Sequence, residues 1–575
     1  MPDSAYSNFL TDMLCCESYG ASMAMMTGGQ AVAETLALLG VSKVFGIVSV
    51  HNLPIYDAIS LHPDIQVINV RHEQAAAHAA DAYSRVTGEL GVILTSTGPG
   101  ALNAVAGIYE AAFVSSKLLM VTGQIESRFR GKGKGFLHEY EKQPELLSNL
   151  CRTVSSVRYA EDISRDLAAV ADDIQRGRPQ PGAIEIPIDL QYQSADIDLF
   201  ASRTISRLVP DEALLNQALA LLENAQRPLI WAGGGVNISG ASGELTDLAE
   251  RMGAPVVTTI EGRGAISEAH DLSLGFRTDR RSAAEIFEEA DVVLAIGTRF
   301  QNYATRVWTL QMPENLIHID VDPGVIGRNY PAAVPIVADA KMALQELLHG
   351  LSKTAVDEQF LERCRKIKEA DEEAIKEEIG PDHSEIVSVI RRLLPEECPV
   401  VRDSTVPNYT WGNRLLKILR SRTSIRPAAV AIGPGLPLAM GAAIGSMSHA
   451  LLIQGDGGLQ LSLGELSACA EHQIPVIALV FNDSGYNVLR IIQENVLGHK
   501  HGTELSKINF VTVAQGMGVE AERVEGIAQF EPALARALAR SGPSVIEIDM
   551  DFLAPIELPL PAHQRARRET DTSED

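Results

Sequence analysis

Cysteine is scarce in these 575 residues. The six thiols, Cys15, Cys16, Cys151, Cys364, Cys398 and Cys469, match neither a metal-ligand spacing nor a disulfide framework. A chain that leaves its thiols uncommitted reads as a resident of the reducing cytoplasm. Long apolar runs are missing as well: none reaches membrane-spanning length, so the sequence reads as soluble and without a membrane partner. Positive charge is in deficit, with 49 Lys and Arg against 74 Asp and Glu and a net charge of −25. That excludes nucleic acid and anionic membranes as bulk partners, yet leaves room for a local basic pocket facing an anionic ligand. The first 16 residues carry acids and no basic n-region, unlike a secretory signal. A G-x-S-x-G nucleophile elbow, an H-E-x-x-H zinc motif and short-period repeats are also absent.

What is present is strand–helix alternation on a scale too long for one core. Residues 1–22 read as a flexible extension. From there the pattern runs helix 27–39, strand 44–47, strand 65–70, Ala-rich helix 74–85 and buried strand 91–96, which breaks at Thr97-Gly98-Pro99-Gly100. A second unit has apolar strands near 228–231, 255–257, 292–296 and 316–320. A helix over 356–379, rich in Glu and Lys, reads as a solvated linker. A third unit follows, and 562–575 reads as a flexible tail. Alternation of this kind predicts parallel sheets covered by helices on both faces: an α/β fold of three doubly wound domains.

The strongest chemical signal is Gly455-Asp456-Gly457-Gly458 together with Asn482-Asp483-Ser484-Gly485-Tyr486. The two carboxylates are 27 residues apart, and each follows an apolar strand. A parallel sheet would aim them at one divalent cation, with the Gly485 carbonyl as a third oxygen and a diphosphate completing the octahedron. Either tripeptide alone is an ordinary turn; the pair makes a site. Glu73 ends a strand and precedes three alanines; a largely desolvated carboxyl there would suit sharing a proton with a ring nitrogen, although on this residue alone an ordinary solvated strand-end glutamate is the better reading. Ile432-Gly433-Pro434-Gly435 and Thr97-Gly98-Pro99-Gly100 suit a backbone passing close to a ligand. Gly233-Gly234-Gly235 lacks a full dinucleotide fingerprint. His51 follows a strand-end turn, and His138 lies in a Gly/Lys-rich loop over 130–139; each has a bland surface or structural reading beside a proton-transfer one.

With these residues assembled, the chain resembles the thiamine-diphosphate-dependent enzymes of the acetolactate synthase, benzoylformate decarboxylase and benzaldehyde lyase group. The resemblance spans about 23–560. It rests on Phe45-Gly46-Ile47, Arg71-His72-Glu73, Ser96 to Gly100 with Asn103, Thr122-Gly123-Gln124, Ile317 to Pro323 and the Gly455-to-Tyr486 signature. It implies a pyrimidine-binding domain over 23–190, a central domain over 205–351, a linker helix over 352–381 and a diphosphate-binding domain over 382–561. It implies that Glu73 bonds the aminopyrimidine ring and that Ile432 wedges the cofactor into its bent form. Gly433, Gly455, Asp456, Gly457, Gly458, Asp483 and Tyr486 would line the cofactor, and Asp456, Asp483 and Gly485 would hold Mg²⁺. Asp483 departs from the asparagine more common in the family, though a carboxylate is still a hard ligand.

The resemblance also implies the chemistry: a C2 ylide attacks the carbonyl of a 2-oxo acid, CO₂ leaves, and an enamine is protonated or joined to a second carbonyl to give a 2-hydroxy ketone. His51 and His138 are the candidates for proton transfer. Because the family builds its site between chains, a homodimer is the minimum and a homotetramer the larger expectation. The central unit is similar to that of acetolactate synthases, which often hold FAD without redox use, so FAD is possible here. Met23 to Gly29 and His51 are similar to benzaldehyde lyase instead. Three readings therefore stand: a decarboxylating carboligase, an acyloin lyase that releases no CO₂, and a catalytically silent cofactor-binding homologue, against which the presence of Glu73 argues.

Overall fold

The computed structural model describes residues 24–202, 205–352, 356–556 and 558. The extension expected over 1–22, with Cys15 and Cys16, and the tail expected over 562–575 lie outside the described residues. Two compact units emerge: residues up to Ala80 together with Glu89–Ile205, and Asp81–Gly88 together with the chain from Ser206 onward.

In the first unit, β1 (Ala24–Thr27) runs antiparallel to β8 (Ser194–Ile197) at the margin. The main sheet contains β2 (Lys43–Gly46), β3 (Gln66–Asn69), β4 (Gly91–Thr95), β5 (Leu118–Gln124), β6 (Thr153–Ser156) and β7 (Gly182–Pro187). Its order is β3-β2-β4-β5-β7-β6, and every pairing is parallel. β4, β5 and β7 are buried along their whole length, as a strand covered on both faces must be. The helix Gly28–Leu38 starts from a capping box in which Thr27 and Gln30 satisfy each other's amides, and it lays Ala31, Val32 and Leu36 into the core.

The second unit carries two further sheets. One holds β9 (Pro228–Ala232), β10 (Val256–Thr258), β11 (Ser273–Gly275), β12 (Val292–Ile296), β13 (Leu316–Asp320) and β14 (Val334–Val337), all parallel, in the order β11-β10-β9-β12-β13-β14. Period-two alternation explains its two faces. Ile230, Ala232, Leu294 and Ile296 enter one apolar cluster, while their neighbours Leu229, Trp231, Val293 and Ala295 enter the other. The other sheet holds β15 (Val400–Arg402), β16 (Ser424–Ile425), β17 (Ala450–Gly455), β18 (Val476–Asn482), β19 (Glu520–Val524) and β20 (Ser544–Asp549). Its order is β16-β15-β17-β18-β20-β19, again all parallel. The sequence thus read the architecture correctly, three helix-flanked parallel sheets.

The linker helix differs from its expectation. Its helical path starts at Glu358 and is interrupted, near the expected end at 379, by Gly380, whose φ of 73° and ψ of 177° are not helical; a second helix continues from there to Leu393. Nor is it simply solvated: Phe360 and Cys364 enter a core of the central sheet, and Ile375 and Ile379 enter that of the last one. The Glu and Lys residues occupy the remaining faces, so composition alone disguised an apolar stripe. Among the described residues no helix is long and apolar enough to cross a membrane.

Candidate functional site

Parallel strands put all their C-terminal ends on one edge, and that is where the candidate residues gather in each unit. In the first unit, neighbouring strands β3, β2, β4 and β5 lead into Glu73, His51, Ser96 and the loop carrying His138. Glu73 opens the helix Glu73–Thr87, where the dipole favours its negative charge. Its Oε2 accepts from Asn103 Nδ2 at 3.0 Å. A Cβ built on Gly100 would stand 3.2 Å from Glu73 Oε1 and 2.9 Å from Ser96 Cβ, so the glycine keeps that space open. Glu73 is half-buried within its chain, between the largely desolvated carboxyl and the solvated strand-end glutamate that its sequence position allows.

His51 and His138 meet, with ring centroids 5.1 Å apart. His51 is 3% exposed and its Nδ1 has no hydrogen-bond partner, so this is no surface histidine. Burial, and then the charge of His138, pull its pKa below the usual histidine value and keep it neutral near pH 7. His138 has a left-handed backbone, φ 62°, and its Nδ1 lies 3.4 Å from Ser96 Oγ, which in turn receives the Ser49 hydroxyl at 2.7 Å. Gly98 and Gly123 are required here, since a Cβ on either would strike the carbonyl of His138 or of His51.

Beneath this cluster lies a residue the sequence reading missed. Glu185, in the middle of β7, is fully buried, and burial raises its pKa. It accepts from Gln143 Nε2 at 2.6 Å and Ser156 Oγ at 2.8 Å, and pairs with Arg130 at 3.0 Å. Gln143 Oε1 in turn accepts from the Gly98 amide at 2.8 Å.

In the second unit, adjacent strands β15, β17 and β18 each end on an aspartate: Asp403, Asp456 and Asp483. Asp456 is 2% exposed. Both Asp456 Oδ1 and Asp483 Oδ1 are buried without a hydrogen-bond partner. Burial raises the pKa of each, and the Asp456 charge raises that of Asp483 further, with Arg490 opposing. Two orphaned carboxylate oxygens side by side are costly unless a cation joins them, so the donor set fits a hard divalent ion. Among the described residues no group of three or more His, Cys, Asp or Glu is gathered as a metal site. Gly485 is buried beside them, and only a glycine fits between Arg490 and the Thr503 carbonyl. The Tyr486 ring lies over Gly457, where a Cβ would stand 2.8 Å from its Cδ1.

Asp403 is the second residue missed. Its carboxylate accepts from the amides of Ser404 (2.6 Å), Gly433 (3.0 Å) and Gly435 (3.1 Å) and from Gln454 Nε2 (2.6 Å). Burial nevertheless pushes its pKa up to about 6. It fixes the turn after the half-buried Ile432, where Gly433 has φ 102°, and lies 3.2 Å from a Cβ built on Gly458. The only sequence signal was its place after a short apolar strand. Gly455, Gly457 and Gly458 share the same edge. Elsewhere, Gly233 and Gly235 are explained by contact with Gly297, so those glycines do not by themselves call for a flavin.

Comparison with known proteins agrees with this geometry. Residues 26–146 match the model for a thiamine pyrophosphate enzyme N-terminal TPP binding domain, 215–347 the central domain, and 406–548 the C-terminal TPP binding domain. A "Probable acetolactate synthase large subunit" of Methanocaldococcus jannaschii is 32% identical over 550 residues, covering 92% of each chain. A "Probable 2-ketoarginine decarboxylase" of Pseudomonas aeruginosa is 30% identical over 534 residues, covering 91% of this chain and 94% of its own. The acetolactate synthase large subunit of Corynebacterium glutamicum is 30% identical over 539 residues, covering 89% and 84%.

Proposed function

The chain belongs to the thiamine pyrophosphate-dependent enzymes, and on that premise we propose that it is an acetolactate synthase-like carboligase that decarboxylates a 2-oxo acid and joins the remaining fragment to a second carbonyl. The observation that carries this reading is the pair of orphaned oxygens, Asp456 Oδ1 and Asp483 Oδ1, at neighbouring strand ends. With the Gly485 carbonyl they would hold Mg²⁺, and the metal would hold the cofactor's diphosphate.

Thiamine diphosphate supplies a carbon nucleophile that adds to the substrate carbonyl and accommodates the electron pair left when CO₂ departs. The rest falls to the chain. Asp403 locks the Ile432–Gly435 turn, so Ile432 presents a fixed apolar surface to the cofactor. Tyr486 closes over Gly457 and would exclude water from the diphosphate. Glu73, held by Asn103, would share a proton with the aminopyrimidine ring. His51, neutral and with Nδ1 unpartnered beside the His138 ring, would accept or return a proton at the substrate oxygen, and His138, near Ser96, is the second candidate. Pyrimidine, central and diphosphate roles go to 23–190, 205–351 and 382–561.

Val48, Val50, Leu53 and Leu137, all at least 45% exposed, flank His51 and His138 in the sequence. A surface this apolar supports a homodimer at least, with the tetramer as its larger form. Buried free thiols at Cys151, Cys364, Cys398 and Cys469 support a cytoplasmic enzyme.

The His51–His138 contact favours a second reading, an acyloin lyase that moves a hydroxyl proton without releasing CO₂. A panel of 2-oxo acids, with thiamine diphosphate and Mg²⁺ added and each withheld, tests both. Sustained CO₂ from pyruvate alone supports the carboligase. Turnover of benzoin with no CO₂ from any 2-oxo acid would replace it with the lyase.

A further inference from the structure

Glu547 is a charged side chain with no part in the chemistry so far. It sits in the middle of β20 and is fully buried, where an unpaired carboxylate would be costly. Its donors come from three directions. Asn482 Nδ2 donates to Oε1 at 2.8 Å, Arg523 Nη2 lies 3.2 Å from each oxygen, and the Val511 amide donates to Oε2 at 3.3 Å. The Asn482 contact is the informative one, because Asn482 ends β18 and is followed directly by Asp483.

The Asn482 side chain spans the turn that carries Asp483. Its Nδ2 also donates to the Ile508 carbonyl at 3.1 Å, and its Oδ1 accepts from the Ser484 amide at 3.3 Å, just beyond the aspartate. Ser484 has a left-handed backbone, φ 57°, which that contact helps to hold. On its other side the turn is bonded to 503–505: the Leu505 amide donates to the Ser484 carbonyl at 2.9 Å, and the Tyr486 amide to the Thr503 carbonyl at 2.9 Å. Asp483 is thus placed by a backbone gripped on both sides, while its own Oδ1 stays without a partner.

The same device occurs in the first unit. The first and last sheets share one strand order, with β7 standing where β20 does and β5 where β18 does. Glu185 and Glu547 are each the fourth residue of their strand, and each is fully buried. Each takes a donor from the amide side chain that ends the neighbouring strand, Gln124 at 3.4 Å or Asn482 at 2.8 Å. Each also pairs with one arginine, Arg130 or Arg523. Packing alone calls for an apolar side chain at such a position. A carboxylate there instead ties a strand end to the residues beyond it.

We propose that Glu547 is a positioning residue for the metal: through Asn482 it fixes the Asp483 carboxylate in the orientation that a small octahedral cation requires. The inference rests on the reading of Asp456, Asp483 and Gly485 as the Mg²⁺ ligands, and adds to it what sets the choice of ion. Mg²⁺ demands near-ideal octahedral geometry, whereas Ca²⁺ accepts more oxygens in a looser shell. A rigid Asp483 therefore favours the smaller ion, and a loosened one gives up that advantage.

The test is calorimetric titration of Mg²⁺ and of Ca²⁺ into the full chain with thiamine diphosphate in excess, for the parent, Glu547→Gln and Asn482→Leu. The glutamine of Glu547→Gln can accept from Asn482 only by turning its NH₂ group toward Arg523 and the Val511 amide, so the grip on Asn482 weakens. Asn482→Leu cuts the link and leaves Glu547 with Arg523 and Val511, so it decides the matter should Glu547→Gln fail to fold. Each variant is expected to lose about tenfold or more in Mg²⁺ affinity and less in Ca²⁺ affinity, lowering the Mg²⁺/Ca²⁺ ratio by about threefold or more. Glu185→Gln loses the equivalent bonds in the other sheet and reports what such a glutamate contributes to the fold alone; its ratio should stay at the parental value. A parental ratio in both Glu547→Gln and Asn482→Leu, or an equal fall in Glu185→Gln, overturns the proposal. So does a change in Glu547→Gln that Asn482→Leu does not reproduce, since the effect would then not pass through Asn482. A parent chain that binds neither ion would overturn the metal reading itself, and this inference with it.

Discussion

The carboxylate of Asp403 accepts a hydrogen bond from the Gly433 amide at 3.0 Å, joining the end of β15 to the turn that follows Ile432. Three more donors converge on the same carboxylate, from Ser404, Gly435 and Gln454. An amide in its place would turn an NH₂ group toward donors and leave at least one buried N–H without an acceptor. Asp403→Asn is therefore expected to cost roughly 2 to 4 kcal/mol of stability. It should also weaken thiamine diphosphate binding, because Ile432 loses its fixed position. Thermal unfolding midpoints and cofactor titration check both; parental values in each would remove Asp403 from the site.

Glu73 makes a sharper distinction between binding and chemistry. Its Oε2 takes one hydrogen bond from Asn103, and Gly100 keeps Oε1 uncovered. Glu73→Gln preserves shape and the Asn103 contact through its carbonyl, but loses the group that shares a proton. Turnover should fall roughly 100-fold or more while cofactor affinity changes little. Unchanged turnover would mean that the assigned mechanism is wrong.

These two residues show what the sequence could and could not reveal. Asp456 and Asp483 were legible because each is embedded in local turn chemistry after a long apolar strand. Glu73 and Ile432 acquired firm roles through family resemblance, since their partners, Asn103 and Asp403, are about 30 residues away. Asp403 itself was invisible: its strand has three residues and its carboxylate serves backbone amides, which leave no side-chain pattern. Glu185 carried no signal in the sequence, and its network became apparent only once Arg130, Gln143 and Ser156 came together. The helices on either side of Gly380 pack into one apolar core, through Ile375 and Ile379 before it and Ile386 and Ile390 after it.

The Asp456–Asp483 pair predicts opposite effects with and without metal. In metal-free protein the two buried carboxyls repel, and Asp483→Asn removes one charge from that conflict. Under a chelator the variant should gain about 1 to 2 kcal/mol, seen as a higher unfolding midpoint. With Mg²⁺ and thiamine diphosphate present it should lose part of the cofactor affinity, since an amide oxygen is a weaker ligand than a carboxylate. A variant that is less stable under chelation would show that the pair is held by something other than a cation.

His383 gives the chain a pH-dependent weakness. It is fully buried, and its Nδ1 accepts from the Trp411 indole N–H at 3.2 Å, so Nε2 carries the proton. Burial pulls its pKa down to about 4. The unfolded chain takes up this proton near pH 6.5 and the folded chain does not, so this histidine's contribution is lost as pH falls from 6.5 toward 4. The loss amounts to about 2 kcal/mol by pH 5. Buried carboxyls such as Asp403, with raised values, act in the opposite direction, so the whole-protein profile cannot isolate the effect. A difference can. His383→Gln keeps an acceptor for Trp411 but has nothing to titrate. Between pH 7.5 and 5 the unfolding midpoint should therefore fall more steeply in the parent than in the variant. Parallel profiles would show that His383 gains its proton at no cost, and that its burial does not control its charge.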